Sequence, residues 1–277
     1  MLNELKILFI GAGKMATAIA GGLITGSNDG AVKSENISAF DISEEALTAF
    51  KEKCPNATTE CKDLSKVIDS ANVVVVAVKP QYCANALSNF KTLATNTDNK
   101  LLISIVAGIT IDSLQSLSGC SRVVRVMPNT PALINQGASG YSASGDAKVD
   151  DVNIAEAIFN CSGLAIKVSE DKLDAVTGVS GSGPAYVFEF IQSLIDGGIL
   201  MGLTRDEAYK LAVQTVKGAS ILVEQTDKHP MILKEMVTSP GGTTAAALQY
   251  LKENSFNGVV AGAVKTATQK AAELGKE

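Results

Sequence analysis

The run "VVVVAV" at positions 73–78 is apolar at every position. A strand with one face in water alternates apolar and polar side chains, whereas an unbroken run has to be covered on both faces. Four further β-rich runs, "KILFI" (6–10), "ISAF" (37–40), "LLISI" (101–105) and "RVVRV" (122–126), accompany it. Helix-like stretches near 14–25, 43–53, 63–70, 80–90 and 110–117 lie between and after them. This alternation predicts an α/β fold with a doubly wound, mostly parallel sheet. "ASGYSA" and "LAIKV" extend the sheet around a helix near 151–161.

Beyond Val168 the pattern changes. "GLTRDEAYKLAVQTVKGASILVEQ" places Ala208, Leu211, Ala212, Thr215, Ala219 and Leu222 at helical spacing and opens with a Thr204–Glu207 capping box. "NGVVAGAVKTATQKAAELG" repeats the stripe at Val260, Ala263, Val264, Ala267, Ala271 and Leu274. Residues 1–167 are therefore expected to form one domain and residues 168–277 a second, all-helical one.

Hydrophobic residues make up 46% and charged residues 19%, as in a globular chain with a sizeable core. The net charge of −5, without Lys/Arg clusters, argues against nucleic acid or an anionic membrane as partner. "AYVFEFIQSLIDGGILMGL" is interrupted by Glu189, Gln192 and Asp196, and the N-terminal apolar run leads into glycines rather than a leader's cleavage site. Cys54, Cys61, Cys83, Cys120 and Cys161 are scattered, which points to thiols in the cytoplasm rather than disulfides or a metal site.

"KILFIGAGKMATAIAGGL" sets Gly11-x-Gly13-x-x-Ala16 between a strand and a helix. Gly11 permits the tight turn, Gly13 lets the backbone approach a pyrophosphate, and Ala16 keeps helix and strand close. With Ala12, Lys14 and Met15 this is a candidate cradle for NADPH or NADH, its amides offered at a helix N-terminus. Asp41, after the second strand, either accepts from a ribose 2′-hydroxyl, favouring NAD, or serves as a turn residue or cap. Ala77-Val78-Lys79-Pro80 and Ala107-Gly108 end two further strands on the same side of the sheet, where such folds bind ligands. Lys79 is otherwise an ordinary surface cation. Asn129, in "VMPNTPA", either donates to the nicotinamide carboxamide or stiffens a Pro-bounded turn.

The single histidine, His229 in "DKHPMI", reads as a helix-start residue. The missing histidine base disfavours alcohol oxidation and favours reduction of a C=N bond, in which the protein mainly holds carbon and nitrogen in place. "VTSPGGTTAAAL" (237–248) places a Ser, two glycines and two threonines before a helix that one cap would start.

"GAGKMA", "AVKPQ", "VRVMPNTP", "GVSGSGPAYVF" and "TSPGGTT" occur in that order along nearly the whole chain. Together they resemble the pyrroline-5-carboxylate reductase family. The resemblance implies NADPH- or NADH-dependent reduction of 1-pyrroline-5-carboxylate to L-proline, the last step of proline biosynthesis. It also implies a Rossmann domain joined to a helical dimerisation domain, in a homodimer or a larger ring of dimers, with substrate held between one subunit's nicotinamide pocket and helices of its partner. By motif, Ser239, Gly242, Thr243 and Thr244 would bind substrate, with the Thr244 hydroxyl on the ring nitrogen, and Glu224 matches a family carboxylate. Glu224 otherwise reads as a solvated side chain. Two other readings remain at this point: a 3-hydroxy-acid reductase with Lys217 or Lys234 as proton donor, and a nucleotide-sensing module without turnover.

Overall fold

The computed structural model describes residues 2–26 and 32–275. The chain divides into two compact units, Met1–Ser182 with Thr266–Glu277, and Gly183–Lys265. In the first, β1 (Ile7–Ile10), α1 (Lys14–Thr25), β2 (Ile37–Phe40), α2 (Glu44–Lys53), β3 (Thr58–Glu60) and α3 (Ser65–Ile68) come first. They are followed by β4 (Val73–Val76), α4 (Pro80–Leu93), β5 (Leu101–Ser104), α5 (Ile111–Ser118) and β6 (Val123–Met127). β7 (Gly137–Ala143), α6 (Val149–Asn160) and β8 (Gly163–Lys167) complete one sheet of order β3-β2-β1-β4-β5-β6-β7-β8. Every neighbouring pair is parallel except β6 with β7. Those two are joined through a single 3₁₀ turn, Thr130–Ile134, rather than a crossover helix, so the chain returns antiparallel.

The unbroken apolar run does divide between two faces. Ile7, Phe9, Val73, Val75, Leu101 and Ile103 join Ile19 of α1, Phe50 of α2 and Ile158 of α6 in one core. Leu8, Ile10, Val74, Val76 and Leu102 join Val67 of α3, Leu87 of α4 and Leu114 of α5 in the other. Successive side chains of a strand point to opposite faces, so both must be apolar. β3 is the strand that sequence periodicity misses. "TTE" is short and polar, and only its pairing with β2 makes it a strand.

The first unit also runs past the expected division at 167/168. Leu173 and Val176 of α7 (Leu173–Val176) pack on the sheet: Leu173 is buried, and a Cβ on Gly140 would stand 2.7 Å from Val176 Cγ2. Glu170 Oε1 accepts from Ile111 N–H at 2.7 Å and pairs with Arg125 at 3.1 Å, tying this segment to α5 and β6. A π-helical turn, Thr177–Gly181, then leads to the boundary at Ser182.

The second unit is helical, as expected: α8 (Gly183–Leu200), α9 (Arg205–Thr226), α10 (Pro230–Met236), α11 (Thr243–Glu253) and the first part of α12 (Phe256–Leu274). The Thr204 capping box forms, with Thr204 N–H donating to Glu207 Oε2 at 2.8 Å and Glu207 N–H to Thr204 Oγ1 at 3.3 Å. His229 caps α10, its Nδ1 accepting from Met231 N–H at 3.2 Å. The helical stripes are buried only in part. Ala208 and Ala212 pack with Ile195, while Leu211, Leu222, Val260 and Leu274 stay exposed.

Lys100 is a buried cation paired within the first unit. It is only 5% exposed, and its Nζ donates to Ile68 O at 2.8 Å and Ala71 O at 2.9 Å, at the end of α3. Desolvation by burial holds its pKa below the usual lysine value. Lys100→Met keeps the chain length but strands the carbonyls, and should cost about 2–4 kcal/mol. Urea unfolding checks this; an unchanged midpoint would mean the ammonium is dispensable.

Candidate functional site

The chain leaves β1 through a turn that only glycine can make. Gly11 has φ +98°, and a Cβ there would lie 2.7 Å from the carbonyl oxygen of Ala77. Its N–H donates to Phe40 O at 2.8 Å, while Ala77 N–H donates to Ile10 O at 2.8 Å, so the turn is stitched to both neighbouring strands. Gly13, the N-cap of α1, is different. Its φ of −68° and ψ of 177° suit any residue, and a Cβ there would meet nothing within 4 Å. The fold does not require this glycine. Its bareness leaves open space over the amides of Gly13, Lys14 and Met15, which have no acceptor among the described residues. Ala16, 1% exposed, keeps α1 close against the sheet. An exposed backbone with unpaired donors at a helix N-terminus fits a pyrophosphate.

Asp41 borders this turn, and its carboxylate is bound. Oδ2 accepts from Ala12 N–H at 2.7 Å and Oδ1 from Ser43 N–H at 2.9 Å. Of the readings offered above, the turn role is thus realised, whereas the α2 cap belongs to Ser43, whose Oγ accepts from Ala46 N–H at 3.2 Å. Lys79 is exposed at the N-cap of α4, with Pro80 at the first helical position and Ala77 and Val78 half-buried beneath. Ala107 is exposed after β5. Gly108, at φ +81°, answers to a neighbour in its own chain, since a Cβ would stand 3.3 Å from Leu274 O and Gly275 Cα.

Of the two readings given for Asn129, the contacts within the chain are those of the stiffened turn. Asn129 is 7% exposed, its Nδ2 donates to Ser180 O at 2.9 Å and its Oδ1 accepts from Ala138 N–H at 2.8 Å. Both ends of the amide bind backbone, so Asn129 stiffens the turn and fastens it to the π-helical segment.

The segment before α11 folds as a β-turn. Ser239 O accepts from Gly242 N–H at 3.1 Å, with Pro240 at the second position and Gly241 at φ +67° at the third, the pattern of a type II turn. A Cβ on Gly242 would collide with Ser239 Oγ. Gly242 is the N-cap of α11 and offers no side chain. Neither Thr243 nor Thr244 caps the helix, and neither hydroxyl makes a hydrogen bond among the described residues. The structure thus groups Ser239, Gly242, Thr243 and Thr244 at one helix start, with unspent donors. Glu224 lies on another element, exposed in the last turn of α9 and without an ion-pair partner among the described residues. Lys217 is exposed, and Lys234 Nζ contacts Met231 Sδ at 3.2 Å.

What periodicity and motif could not reveal are the polar ties around these turns, Asp41 to Ala12 and Glu170 to Ile111 and Arg125, which join residues distant in sequence. A concavity of about 420 Å³ lies over Ala138, Gly140, Leu164, Ile166, Val176 and Val179. Its lining is mostly apolar, with Lys172, Ser139 and Ser180 among the residues around it.

Comparison with known proteins agrees with this arrangement. Residues 170–274 match the family model for pyrroline-5-carboxylate reductase dimerisation, and residues 6–108 match a model described as NADP oxidoreductase, coenzyme F420-dependent. A pyrroline-5-carboxylate reductase of Methanosarcina acetivorans is 40% identical over 277 residues, covering 100% of both chains. The solved structure of a pyrroline-5-carboxylate reductase from Coxiella burnetii superposes with a TM-score of 0.90 at 36% identity, covering 98% of this chain and 99% of that one. A pyrroline carboxylate reductase of Plasmodium falciparum, solved with NADP bound, gives 0.85 at 33% identity, covering 99% and 100%. With a glycine turn that bares the start of α1, a hydroxyl-rich start to α11 and relatives alike from end to end, the chain belongs to the pyrroline-5-carboxylate reductase family.

Proposed function

We propose that this chain reduces 1-pyrroline-5-carboxylate to L-proline with NADPH or NADH, the closing step of proline biosynthesis. The observation that carries this reading is the start of α11, where a type II turn delivers bare amides and two threonine hydroxyls that no described residue uses. The substrate is a small ring with a carboxylate and an imine. The amides of the α11 N-terminus suit the carboxylate, aided by the helix dipole. The Thr244 hydroxyl holds the ring nitrogen, and Ser239 and Thr243 close the polar rim.

The bound dinucleotide supplies the hydride. Gly11, Gly13 and the amides of Lys14 and Met15 seat its pyrophosphate. Ala77–Pro80 and Ala107–Gly108 line the strand ends beside it, and Asp41 borders the ribose. Glu224 is assigned a supporting role as a carboxylate near the reacting groups. A carboxylate in the last turn of a helix opposes the dipole, so a cationic or protonated partner favours it there.

The working unit is a homodimer at least, and we extend this to a ring of dimers. The small core of Ile195, Ala208 and Ala212 leaves Phe188, Leu200, Met201, Leu211 and Val259 exposed on the helical unit. Apolar surface on this scale marks an interaction face. The partners are the small imine acid and further copies of this chain, and the reading includes neither nucleic acid nor membrane. Among the described residues no helix is long and apolar enough to cross a membrane. We place the reaction in the cytoplasm, in keeping with five free thiols.

Light scattering should find dimers or larger assemblies, and a stable, active monomer would defeat the assembly part of the reading. Gly13→Val should fold normally, since its backbone is unstrained and its Cβ meets nothing, yet lose dinucleotide affinity. Gly11→Ala should instead destabilise the protein, by at least about 1–2 kcal/mol for the positive φ alone. Calorimetric titration and melting curves separate the two effects, and a Gly13→Val protein with unchanged affinity would remove the turn from the cofactor site.

Thr244→Ala should lower turnover roughly 10²–10³-fold, the usual effect of losing one preorganised hydrogen bond to the reacting group. Its melting temperature should hold, because the hydroxyl caps nothing, and Thr244→Ser should keep much of the activity. A Thr244→Ala enzyme of normal turnover would assign the chemistry elsewhere.

A further inference from the structure

We infer that this chain takes NADH in preference to NADPH, because the residues bordering the adenosine ribose repel a 2′-phosphate. The inference rests on the reductase reading above and adds the choice of cofactor.

β1 and β2 pair in register, with Ile10 opposite Phe40, so the glycine turn and the first residue after β2 lie side by side. In sheets of this kind the adenosine ribose occupies that corner. The residue there is Asp41, and its carboxylate is not free to swing away. One oxygen holds Ala12 N–H at 2.7 Å and the other holds Ser43 N–H at 2.9 Å. Each oxygen keeps a lone pair able to accept a ribose hydroxyl, but an ionised carboxylate has no hydrogen to give a phosphate. A 2′-phosphate would bring about −1.5 to −2 of charge against a fixed negative group.

The surroundings strengthen this exclusion. "DISEE" (41–45) holds three carboxylates and no Lys or Arg. The start of α2 offers a phosphate no open seat, being capped by Ser43 and carrying Glu44 and Glu45 in its first turn. On the far side of β2, Lys66 Nζ is engaged by Glu60 at 3.2 Å. Hydrogen bonds from Lys62 N–H and from Lys66 bring the Glu60 pKa down to about 2, so Lys66 has a charged partner there. Lys62 is exposed beyond β3, one strand farther from the glycine turn than Asp41.

Calorimetric titration of the full chain with NADH, NADPH, 5′-AMP and 2′,5′-ADP tests the inference without turnover. NADH should bind about tenfold or more tightly than NADPH, and 5′-AMP more tightly than 2′,5′-ADP. Asp41→Asn should narrow both gaps. Ile42→Arg, at a side chain 86% exposed that needs no repacking, should narrow or invert them, and it serves if Asp41→Asn does not fold. NADPH binding as tightly as NADH, or 2′,5′-ADP outcompeting 5′-AMP, overturns the preference; pyrroline-5-carboxylate reduction with NADPH would then leave the reductase reading standing. Binding of neither dinucleotide, with no reduction, overturns both.

Discussion

The close passage of Gly11 over the carbonyl of Ala77 governs the geometry of the first unit. β1 and β4 are hydrogen-bonded neighbours, so the chain leaving one must clear the end of the other at once. A side chain there would stand 2.7 Å from a backbone oxygen, and the positive φ excludes it again. Because the turn is so tight, α1 starts directly after the carboxyl end of β1, and Ala16 can press it down into the core. Ala12 N–H is turned toward Asp41, and the next three amides face outward. One missing methyl group thus sets where a helix begins and which of its donors remain unused.

Elsewhere the first unit pairs its polar groups closely. Asn129 spends its amide on two backbone partners, Glu170 serves Arg125 and Ile111, and Lys100 serves carbonyls after α3. Buried polar groups are costly when unmatched, so this pairing is what stability demands. The starts of α1 and α11 have no side-chain cap and keep backbone donors without an acceptor among the described residues.

The helical unit obeys a different balance. Ala208 and Ala212 allow α8 and α9 to approach closely, yet small side chains bury little apolar area. Ile195 cannot by itself make a core of the kind found around the sheet. The leftover apolar surface has a natural use in a second copy of the chain, in keeping with the match of residues 170–274 to a dimerisation family model.

Much of this was legible in the residues. An apolar run without alternation demands a doubly covered strand, and the spacing of the runs set out five of the eight strands, with two more foreseen as extensions. The order glycine, glycine, alanine between strand and helix required a tight turn, and Thr204 with Glu207 defined the start of α9 because capping is local. Other features depended on partners far along the chain. β3 exists only through its ladder with β2, and the first unit extends to Ser182 because Leu173 and Val176 find the sheet. That Asn129 would hold Ser180 and Ala138, and Asp41 the Ala12 amide, could not be read from the residues alone. Local propensity and periodicity act over a turn or a strand and are written in sequence, whereas the partner of a buried amide or carboxylate is chosen by which strands become neighbours, and that is decided only when the sheet closes.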